Sequence, residues 1–311
     1  VALVTGGSRG VGRGIAQGLG EQGATVYVTG RSAVEPATPG AGGGGNITAT
    51  CADITARGGV GIPVQCDHSN DAEVKAVFDR IEAEHGRLDL LVNNAFFLPD
   101  DMPVKGNFWE QGAGMWDAVC NVGLRSHYMA SCFAVPLLRR AAGGRGVIVN
   151  VSSFGGMGYT FNVAYGVGKA GVDRLAADMA VELTEEGIAS VSLWPGVVST
   201  DRILNWAESE EGKDTFDLTQ AETPLLAGRA VAALAGDDAI MSKTGRVLIV
   251  AELAGEYGFS EDDGSVPPSI RSLRFLIPYL LKGRSPPPAM IPDWRLPIWL
   301  LAQGKGQASP S

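Results

Sequence analysis

The stretch "VALVTGGSRGVGRGIAQGL", residues 1–19, joins an apolar strand to a helix through a cluster of glycines. Gly6, Gly10 and Gly12 stand between the two elements, where glycine lets the backbone turn sharply and approach a pyrophosphate. The N-terminus of the following helix supplies unpaired N–H groups and the positive end of a dipole. The stretch therefore predicts the first βα unit of a dinucleotide-binding fold. A tight turn without a ligand and a methyltransferase-type turn are the alternatives.

The alternation of strand and helix continues along the chain. Seven apolar runs are typical of strands, and they span 1–5, 25–29, 61–66, 88–94, 146–152, 189–194 and 245–250. Most are continuously apolar, as in strands covered on both faces. Helical patterns lie near 11–22, 70–86, 113–141, 163–187 and 222–235. We therefore expect one α/β domain over residues 1–251, a doubly wound Rossmann-type fold with a seven-stranded parallel sheet, and a C-terminal extension over 252–311.

Composition excludes several classes of protein. Of the 311 residues, 45% are hydrophobic and 19% charged, which is typical of a globular chain. The net charge of −9 argues against a nucleic-acid partner, because phosphates would be repelled. The three histidines are scattered, so we predict no metal site. Four cysteines without a CxxC pair and the lack of a signal-like start predict a cytoplasmic protein, and no apolar run approaches the roughly 18 residues of a membrane span.

The end of the second strand bears on the choice of dinucleotide. A protein that prefers NAD normally carries an acid there for the ribose 2′-hydroxyl, whereas this chain has "VTGRS" with Arg31. Arg9 lies inside the glycine loop. Two guanidinium groups near one ribose suit a 2′-phosphate, so we predict NADP(H). The alternative is that both arginines are solvated.

A second short motif, "YGVGK" at 165–169, sets Tyr165 and Lys169 four residues apart on a predicted helix. Such positions share a face, so the ammonium is expected to favour the phenolate and lower the pKa of the tyrosine. A tyrosine tuned in this way exchanges its proton near neutral pH. Alone, the spacing is common on solvated helix faces.

Taken together, the motifs resemble the classical short-chain dehydrogenase/reductase family over about residues 1–250. The resemblance rests on their order and spacing: "TGGSRGVG" (5–12), "NNA" (93–95), "NVG" (121–123), "VSS" (151–153), "YGVGK" (165–169) and "PGVVST" (195–200). It implies an NADPH-dependent reduction of a carbonyl to a secondary alcohol, or the reverse. A non-catalytic NADP(H)-binding sensor and a nucleotide-dependent transferase are the competing functions.

The resemblance also implies roles for single residues. Tyr165 matches the catalytic acid/base, and Lys169 matches the residue that binds the nicotinamide ribose. Asn121 matches the asparagine that holds a water in the proton relay, although it could be only a helix-kink residue. For the polarising serine, the strand register favours Ser153, whereas counting back from the tyrosine favours Ser152. We choose Ser153, because loop lengths vary more readily than strand registers.

The residues that the resemblance assigns to the cofactor lie at the carboxyl ends of the strands. Asp67 matches the residue that bonds the adenine amino group, or it simply begins the next helix. Thr200 is expected to bond the nicotinamide carboxamide. The full expected set is Gly6, Ser8, Arg9, Gly10, Val11, Gly12, Arg31, Asp67, Asn93, Ala95, Tyr165, Lys169, Pro195, Gly196, Val198 and Thr200.

Aromatic residues crowd the same ends of the strands and predict the kind of substrate. Where the family reads "NNAG", this chain has Phe96, which puts the shape of the substrate cleft in doubt. With it come Phe97, Phe154, Tyr159, Phe161 and Trp206. They either fill the core or favour a bulky apolar carbonyl compound such as a steroid, quinone or lipid aldehyde. Residues 201–221 are expected to form a mobile lid, and 36–46 a flexible loop.

The extension differs in charge from the rest of the chain. From Arg271 onward it carries six basic residues against a single acid, Asp293, together with the apolar stretches "SLRFLIPYLLK" and "WRLPIWLL". Such a segment either docks on the enzyme or a sister subunit, or makes peripheral contact through 271–311 with an anionic membrane surface. Family resemblance implies a homo-oligomer, a dimer or tetramer.

Overall fold

The computed structural model describes residues 1–33, 44–99, 107–209, 212, 218–281, 286–287 and 290–301. It confirms one seven-stranded, all-parallel sheet in the order β3-β2-β1-β4-β5-β6-β7. The strands are β1 (Ala2–Val4), β2 (Thr25–Gly30), β3 (Val60–Gln65), β4 (Leu90–Asn93), β5 (Gly146–Val151), β6 (Ile188–Trp194) and β7 (Val247–Ile249). The order reverses between β1 and β4, which is where such sheets open a ligand crevice.

Eleven α-helices lie within the described part of the chain. They are α1 (Gly10–Glu21), α2 (Ile47–Ala56), α3 (Asp71–His85), α4 (Phe108–Cys120), α5 (Ser126–Leu138), α6 (Val163–Leu183), α7 (Asp201–Glu208), α8 (Pro224–Gly236), α9 (Val250–Tyr257), α10 (Leu273–Leu281) and α11 (Ile298–Leu301). Of the loop expected at 36–46, residues 36–43 lie outside the described residues, and Asn46 caps α2 through its bond from the Ala49 N–H.

Both faces of the sheet are covered, because neighbouring residues of a strand point to opposite sides. On β1, Val4 packs into a core with Ile15 of α1 and Val231 of α8. Leu3 points the other way, into a core with Phe78 of α3. The continuously apolar strands of the sequence thus reflect two separate cores. The edge strand β3 departs from this pattern, because its residues are half-buried or exposed and none is fully buried.

The helix expected over 113–141 is interrupted. It begins earlier, at Phe108, and a π-helical turn over Asn121–Arg125 separates α4 from α5. The extra residue of such a turn widens the helix and is frequently found at functional sites. Asn121 is the first residue of this π-helical turn.

The expected boundary at residue 251 lies inside α9, and the extension continues along the body of the domain. Arg271 pairs with Glu252 at 2.8 Å. Ser272, just before α10, and Arg295, shortly before α11, form an isolated antiparallel bridge within the extension. None of the helices that the structure describes is long and apolar enough to cross a membrane.

Candidate active site

The glycine loop between β1 and α1 forms a cradle that side chains would fill. Gly6 has a φ of +65°, and a Cβ there would lie 2.8 Å from the Ala95 Cα. A Cβ on Gly12 would lie 2.5 Å from the Gly6 carbonyl oxygen. Arg9, at the N-cap of α1, makes no side-chain capping bond. These glycines let the loop pack closely against the residues that follow β4 and leave the N-terminus of α1 beside it, where backbone N–H groups could hold a pyrophosphate.

The two arginines expected at the 2′-phosphate occupy different positions around this loop. Arg9 precedes α1, and Arg31 follows β2, where its guanidinium lies 4.6 Å from the centre of the Phe97 ring. An aromatic ring under a guanidinium limits its orientations and stabilises the charge. Phe97 therefore packs against the arginine and, unlike the other five aromatic residues noted in the sequence, does not line the main cavity.

On the expected adenosine side, the structure separates the two asparagines of "NNA". Asn93 is fully buried and its amide donates to Asn150 and Ser131. Its side chain therefore supports the sheet instead of lining the cleft. Asn94, which was not expected at the site, lines the main cavity and donates to the carbonyl oxygens of Thr5 and Gly6. It fixes the glycine loop.

Asp67 lies in the turn before α3, and its expected bond to the adenine amino group stays a prediction. Its Oδ1 accepts bonds from the Ser69 N–H at 2.9 Å and the Ser69 hydroxyl at 2.8 Å, so it shapes the turn that leads to α3. Burial alone would raise the pKa of Asp67, but the Ser69 bonds and Arg31 outweigh it and lower the pKa. The carboxylate is charged at neutral pH and keeps its second oxygen for another donor.

The two candidate serines have different partners. The Ser153 hydroxyl lies 2.8 Å from the Tyr165 hydroxyl, and both side chains line the main cavity. Ser152 is 3% exposed, and its hydroxyl donates to the Lys169 carbonyl oxygen at 3.1 Å. Both serines border the cavity, but of the two only the Ser153 hydroxyl contacts the Tyr165 hydroxyl.

The expectation that Lys169 lowers the pKa of Tyr165 is wrong for this arrangement of side chains. The ammonium donates to the Val151 carbonyl oxygen at 3.0 Å and lies 6.0 Å from the Tyr165 ring centre. Burial raises the pKa of Tyr165, Ser153 opposes this, and Asp173 adds to it. Burial also lowers the pKa of Lys169 to about 8, against the influence of Asp173. A desolvated phenol stays protonated at neutral pH and is ready to donate.

Phe96 explains part of that desolvation. Its ring centre lies 4.9 Å from the Lys169 ammonium and 5.8 Å from the Tyr165 ring, which it meets edge to face. A Cβ on Gly123 of the π-helical turn would lie 2.8 Å from the Phe96 ring, so the ring rests on that glycine. The bulky residue at the family's glycine position thus covers the lysine and leaves the cavity open.

Asn121 is not brought to the main cavity. It lines a second, shallower cavity of about 810 Å³ on the α4–α6 side, together with Trp116, Cys120 and Arg125. The expected role in a proton relay therefore stays a prediction.

The segment after β6, where the nicotinamide contacts were expected, forms one wall of the main cavity. Pro195, Gly196, Val198 and Thr200 line the main cavity with Val11 of α1. The Thr200 hydroxyl caps α7 through a bond from the Ile203 N–H at 3.4 Å. The lid expected at 201–221 begins as α7, whereas residues 210, 211 and 213–217 lie outside the described residues.

The main cavity has a volume of about 870 Å³ and opens beside Tyr165. Aromatic residues of the domain line it, namely Phe96, Phe154, Tyr159, Phe161 and Trp206. The extension adds Ile270, Phe275, Leu276, Tyr279 and Leu301. The extension therefore docks on the body of the protein and forms one wall of this cavity. The described residues hold no cluster of side chains that could bind a metal ion.

The geometry agrees with comparisons with known proteins. Residues 1–211 match the family model for short chain dehydrogenases, and the chain belongs to this family. It is therefore an oxidoreductase that acts on the CH–OH/C=O pair with a nicotinamide dinucleotide. A putative dehydrogenase from Xanthomonas campestris shares the fold, with a TM-score of 0.71 at 23% identity over 85% of this chain and 92% of that chain. The 3-oxoacyl-[acyl-carrier protein] reductase from Brucella melitensis in complex with NAD superposes with a TM-score of 0.67 at 26% identity, over 80% of this chain and 94% of that one.

Within the family, the stretches "NVGLRSHYM" and "SLWPGVV" resemble the dehydrogenase/reductase member 1 group. Two relatives confirm this. Dehydrogenase/reductase SDR family member 1 of Homo sapiens is 40% identical over 97% of this chain and 96% of its own length. The protein of the same name from Mus musculus is 43% identical over 85% of this chain and 83% of its own.

Besides Asn94, three residues near the site were missed in the sequence. Asp173, one turn beyond Lys169, accepts bonds from Ser192 at 2.6 Å and Trp194 at 2.9 Å. Its position four residues after Lys169 places it on the same helix face, and this spacing could have predicted that the two residues interact. Phe275 and Tyr279 line the cavity from α10, and no short motif marks them, because their contact with the site arises from the path of the extension.

Proposed function

We propose that the protein is an NADPH-dependent oxidoreductase that interconverts a bulky apolar carbonyl compound and its secondary alcohol. The observation that carries the proposal is the hydroxyl pair of Ser153 and Tyr165, 2.8 Å apart, at the side of an apolar cavity of about 870 Å³. Two donors that converge on one point can both bond a carbonyl oxygen.

In the proposed reaction, Ser153 bonds the substrate oxygen and limits its orientation. Tyr165 donates its proton to that oxygen as negative charge develops. When bound, the nicotinamide supplies the hydride to the carbonyl carbon. Lys169, whose ammonium donates to the Val151 carbonyl oxygen, is expected to bond the nicotinamide ribose. Phe96 keeps water away from both side chains, which strengthens their interactions.

For the cofactor, support for NADP(H) comes from Arg31 on the Phe97 ring and from the absence of an acid at the end of β2. Replacing Arg31 by Gln is expected to weaken NADPH binding by about tenfold or more, in line with a lost charge-assisted contact, and to leave NADH binding unchanged. Titration of intrinsic fluorescence with each nucleotide measures this. Arg80→Gln, at an exposed site on α3, is the control. Equal losses for both nucleotides would contradict the assignment.

For the substrate, the rings that line the cavity support a steroid, a quinone or a lipid aldehyde. The test is NADPH oxidation with a panel of bulky and small carbonyl compounds. Turnover of the bulky compounds supports the proposal. NADPH binding without turnover of any compound would favour the non-catalytic sensor instead.

The extension also supports peripheral contact of a cytoplasmic protein with a membrane. Around the docked part, six large side chains are exposed: Leu280, Leu281, Met290, Trp294, Trp299 and Leu300. Flotation with anionic liposomes, with and without residues 290–311, tests this, and equal recovery of both proteins would contradict it.

Assembly into a homo-oligomer is the last part of the proposal. The outer side of α4 and α5 exposes Phe108, Trp109, Trp116 and Tyr128. An apolar patch of this kind suits contact with a second copy. Light scattering is expected to give the mass of a dimer or tetramer, and a monomer at micromolar concentration would contradict it.

A further inference from the structure

Glu222 joins the start of α8 to the segment that follows β6. Its N–H donates to the Val197 carbonyl oxygen at 2.7 Å, and its own carbonyl oxygen accepts the Ser199 N–H at 2.9 Å and the Ser199 hydroxyl at 3.0 Å. Val198 and Glu222 thus form a parallel bridge. The backbone of this one residue holds the middle of the Gly196–Thr200 segment.

The side chain of Glu222 turns back toward the same segment. The residue is 2% exposed, and its carboxyl accepts the Gly196 N–H. A Cβ on Gly196 would lie 2.8 Å from the Glu222 Oε1, so the carboxyl and the glycine backbone are in direct contact. The Oε2 atom is buried and has no hydrogen-bond partner in the part of the chain that the structure describes.

The surroundings disfavour a charge on this carboxyl. The charged group that bears on it is another acid, Glu261, whose oxygens accept the Thr223 N–H at 2.7 Å and the Thr223 hydroxyl at 2.5 Å. No ion pair reaches Glu222 from the described residues. Burial raises the pKa of Glu222 to about 8, the Gly196 N–H opposes this, and Glu261 adds to it.

We propose that Glu222 is a positioning residue whose neutral carboxyl holds the Gly196–Thr200 segment in the form that accepts the nicotinamide, and whose ionisation releases that segment. The inference deepens the proposed function and rests on it. A buried carboxylate beside Glu261 is unfavourable. The cost falls when the Gly196–Thr200 segment moves and water reaches the charge, and this movement displaces Thr200.

The test compares the pH dependence of NADPH affinity in the wild type and in Glu222→Gln, since the amide imitates the neutral acid. Glu256→Gln, at an exposed acid on α9, is the matched control. Lys169 also titrates near pH 8, but all three proteins contain it. The ratio of the NADPH affinities of two of these proteins at one pH therefore reports the effect of Glu222 alone. Above pH 8 the wild type is expected to weaken relative to Glu222→Gln, approaching about tenfold at pH 9.

A second measurement does not use the cofactor. Because the folded state keeps the Glu222 proton up to about pH 8, whereas the unfolded chain releases it near pH 4.3, the wild type loses stability between these values relative to the variant. The unfolding temperature of Glu222→Gln should therefore match that of the wild type below about pH 4, exceed it progressively from there to pH 8, and stay above it by a constant difference at higher pH.

The possible results distinguish a failure of the role of Glu222 from a failure of the proposed function. Parallel pH profiles of affinity in the wild type and Glu222→Gln, or weak binding by Glu222→Gln at every pH, would overturn the role of Glu222 and leave the cofactor assignment intact. NADPH binding by none of the three proteins would overturn the proposed function, and the role of Glu222 with it.

Discussion

At the scale of single residues, the adjacent Ser152 and Ser153 make different contacts. Ser153 meets the Tyr165 hydroxyl in the cavity, whereas Ser152 bonds the backbone of Lys169 inside the protein. The motif "VSS" predicts that a serine lies here. It does not show which one bonds the Tyr165 hydroxyl, because both border the cavity and the contact depends on how the chain leaves β5.

Replacing Ser153 by Ala is expected to lower kcat by about 10²–10³, since one donor to the developing charge is lost. Ser152→Ala is the matched variant. It should keep kcat within a few fold and lower the free energy of unfolding by about 1 kcal/mol, because a buried hydrogen bond is lost. Steady-state kinetics and urea unfolding measure both, and the reverse pattern would assign the catalytic role to Ser152.

The pKa of Lys169 predicts how NADPH affinity depends on pH. Burial lowers its pKa to about 8 and Asp173 holds it up, so the ammonium expected to bind the ribose is lost as pH rises through 8. Replacing Asp173 by Asn removes that support and is expected to shift the alkaline decline of NADPH affinity to lower pH. The control is Asp178→Asn, at an exposed acid on the same helix. An unchanged decline in Asp173→Asn would show that the carboxylate does not act on Lys169.

At the scale of elements, the sequence predicts the seven strands and the helices α1, α3, α6 and α8, because continuous apolar runs and helical periodicity reflect burial directly. It does not predict the short helices α7, α9, α10 and α11, which carry too few turns to show a period. It does not predict the π-helical turn at Asn121–Arg125, where "NVGLR" carries no helix breaker other than a glycine. The contact between Phe96 and Gly123 is also hidden, since it joins residues of different elements.

Close packing of α1 against α8 gives a test at this scale. A Cβ on Gly14 would lie 2.1 Å from the Pro224 backbone, so Gly14→Ala must push the helices apart. We expect a loss of about 1–3 kcal/mol in the free energy of unfolding. In α9, Gly255 has open space around it, and Gly255→Ala should add about 0.5–1 kcal/mol. Equal effects of the two changes would contradict this view of the packing.

At the scale of the whole molecule, the extension completes a cavity that the Rossmann domain begins. Composition predicts that 252–311 is unlike the rest of the chain and leaves docking and membrane contact open. The structure shows that its inner side chains, among them Phe275 and Tyr279, line the cavity, while Trp294 and Trp299 stay exposed. Which side chains face inward depends on the packing of the extension, which local sequence does not encode.

Because inward side chains of the extension line the cavity, we predict that the extension selects the substrate. Phe275→Ala should raise KM for a bulky apolar ketone by roughly fivefold to thirtyfold, equivalent to about 1–2 kcal/mol of lost apolar contact, and leave KM for a small ketone unchanged. Leu280→Ala, on the exposed side of the same helix, is the control. Equal changes in KM for large and small ketones would remove the extension from substrate selection.

Replacement of Tyr165 by Phe, measured for NADPH-dependent reduction of a ketone and for NADPH affinity side by side, tests the central claim most directly. The hydroxyl that donates the proton is removed, and the ring between Phe96 and Phe161 is kept. We expect kcat to fall by about 10²–10⁴ and the NADPH dissociation constant to stay within a few fold of the wild type. Retained turnover in the variant would show that another group protonates the substrate and would contradict the account.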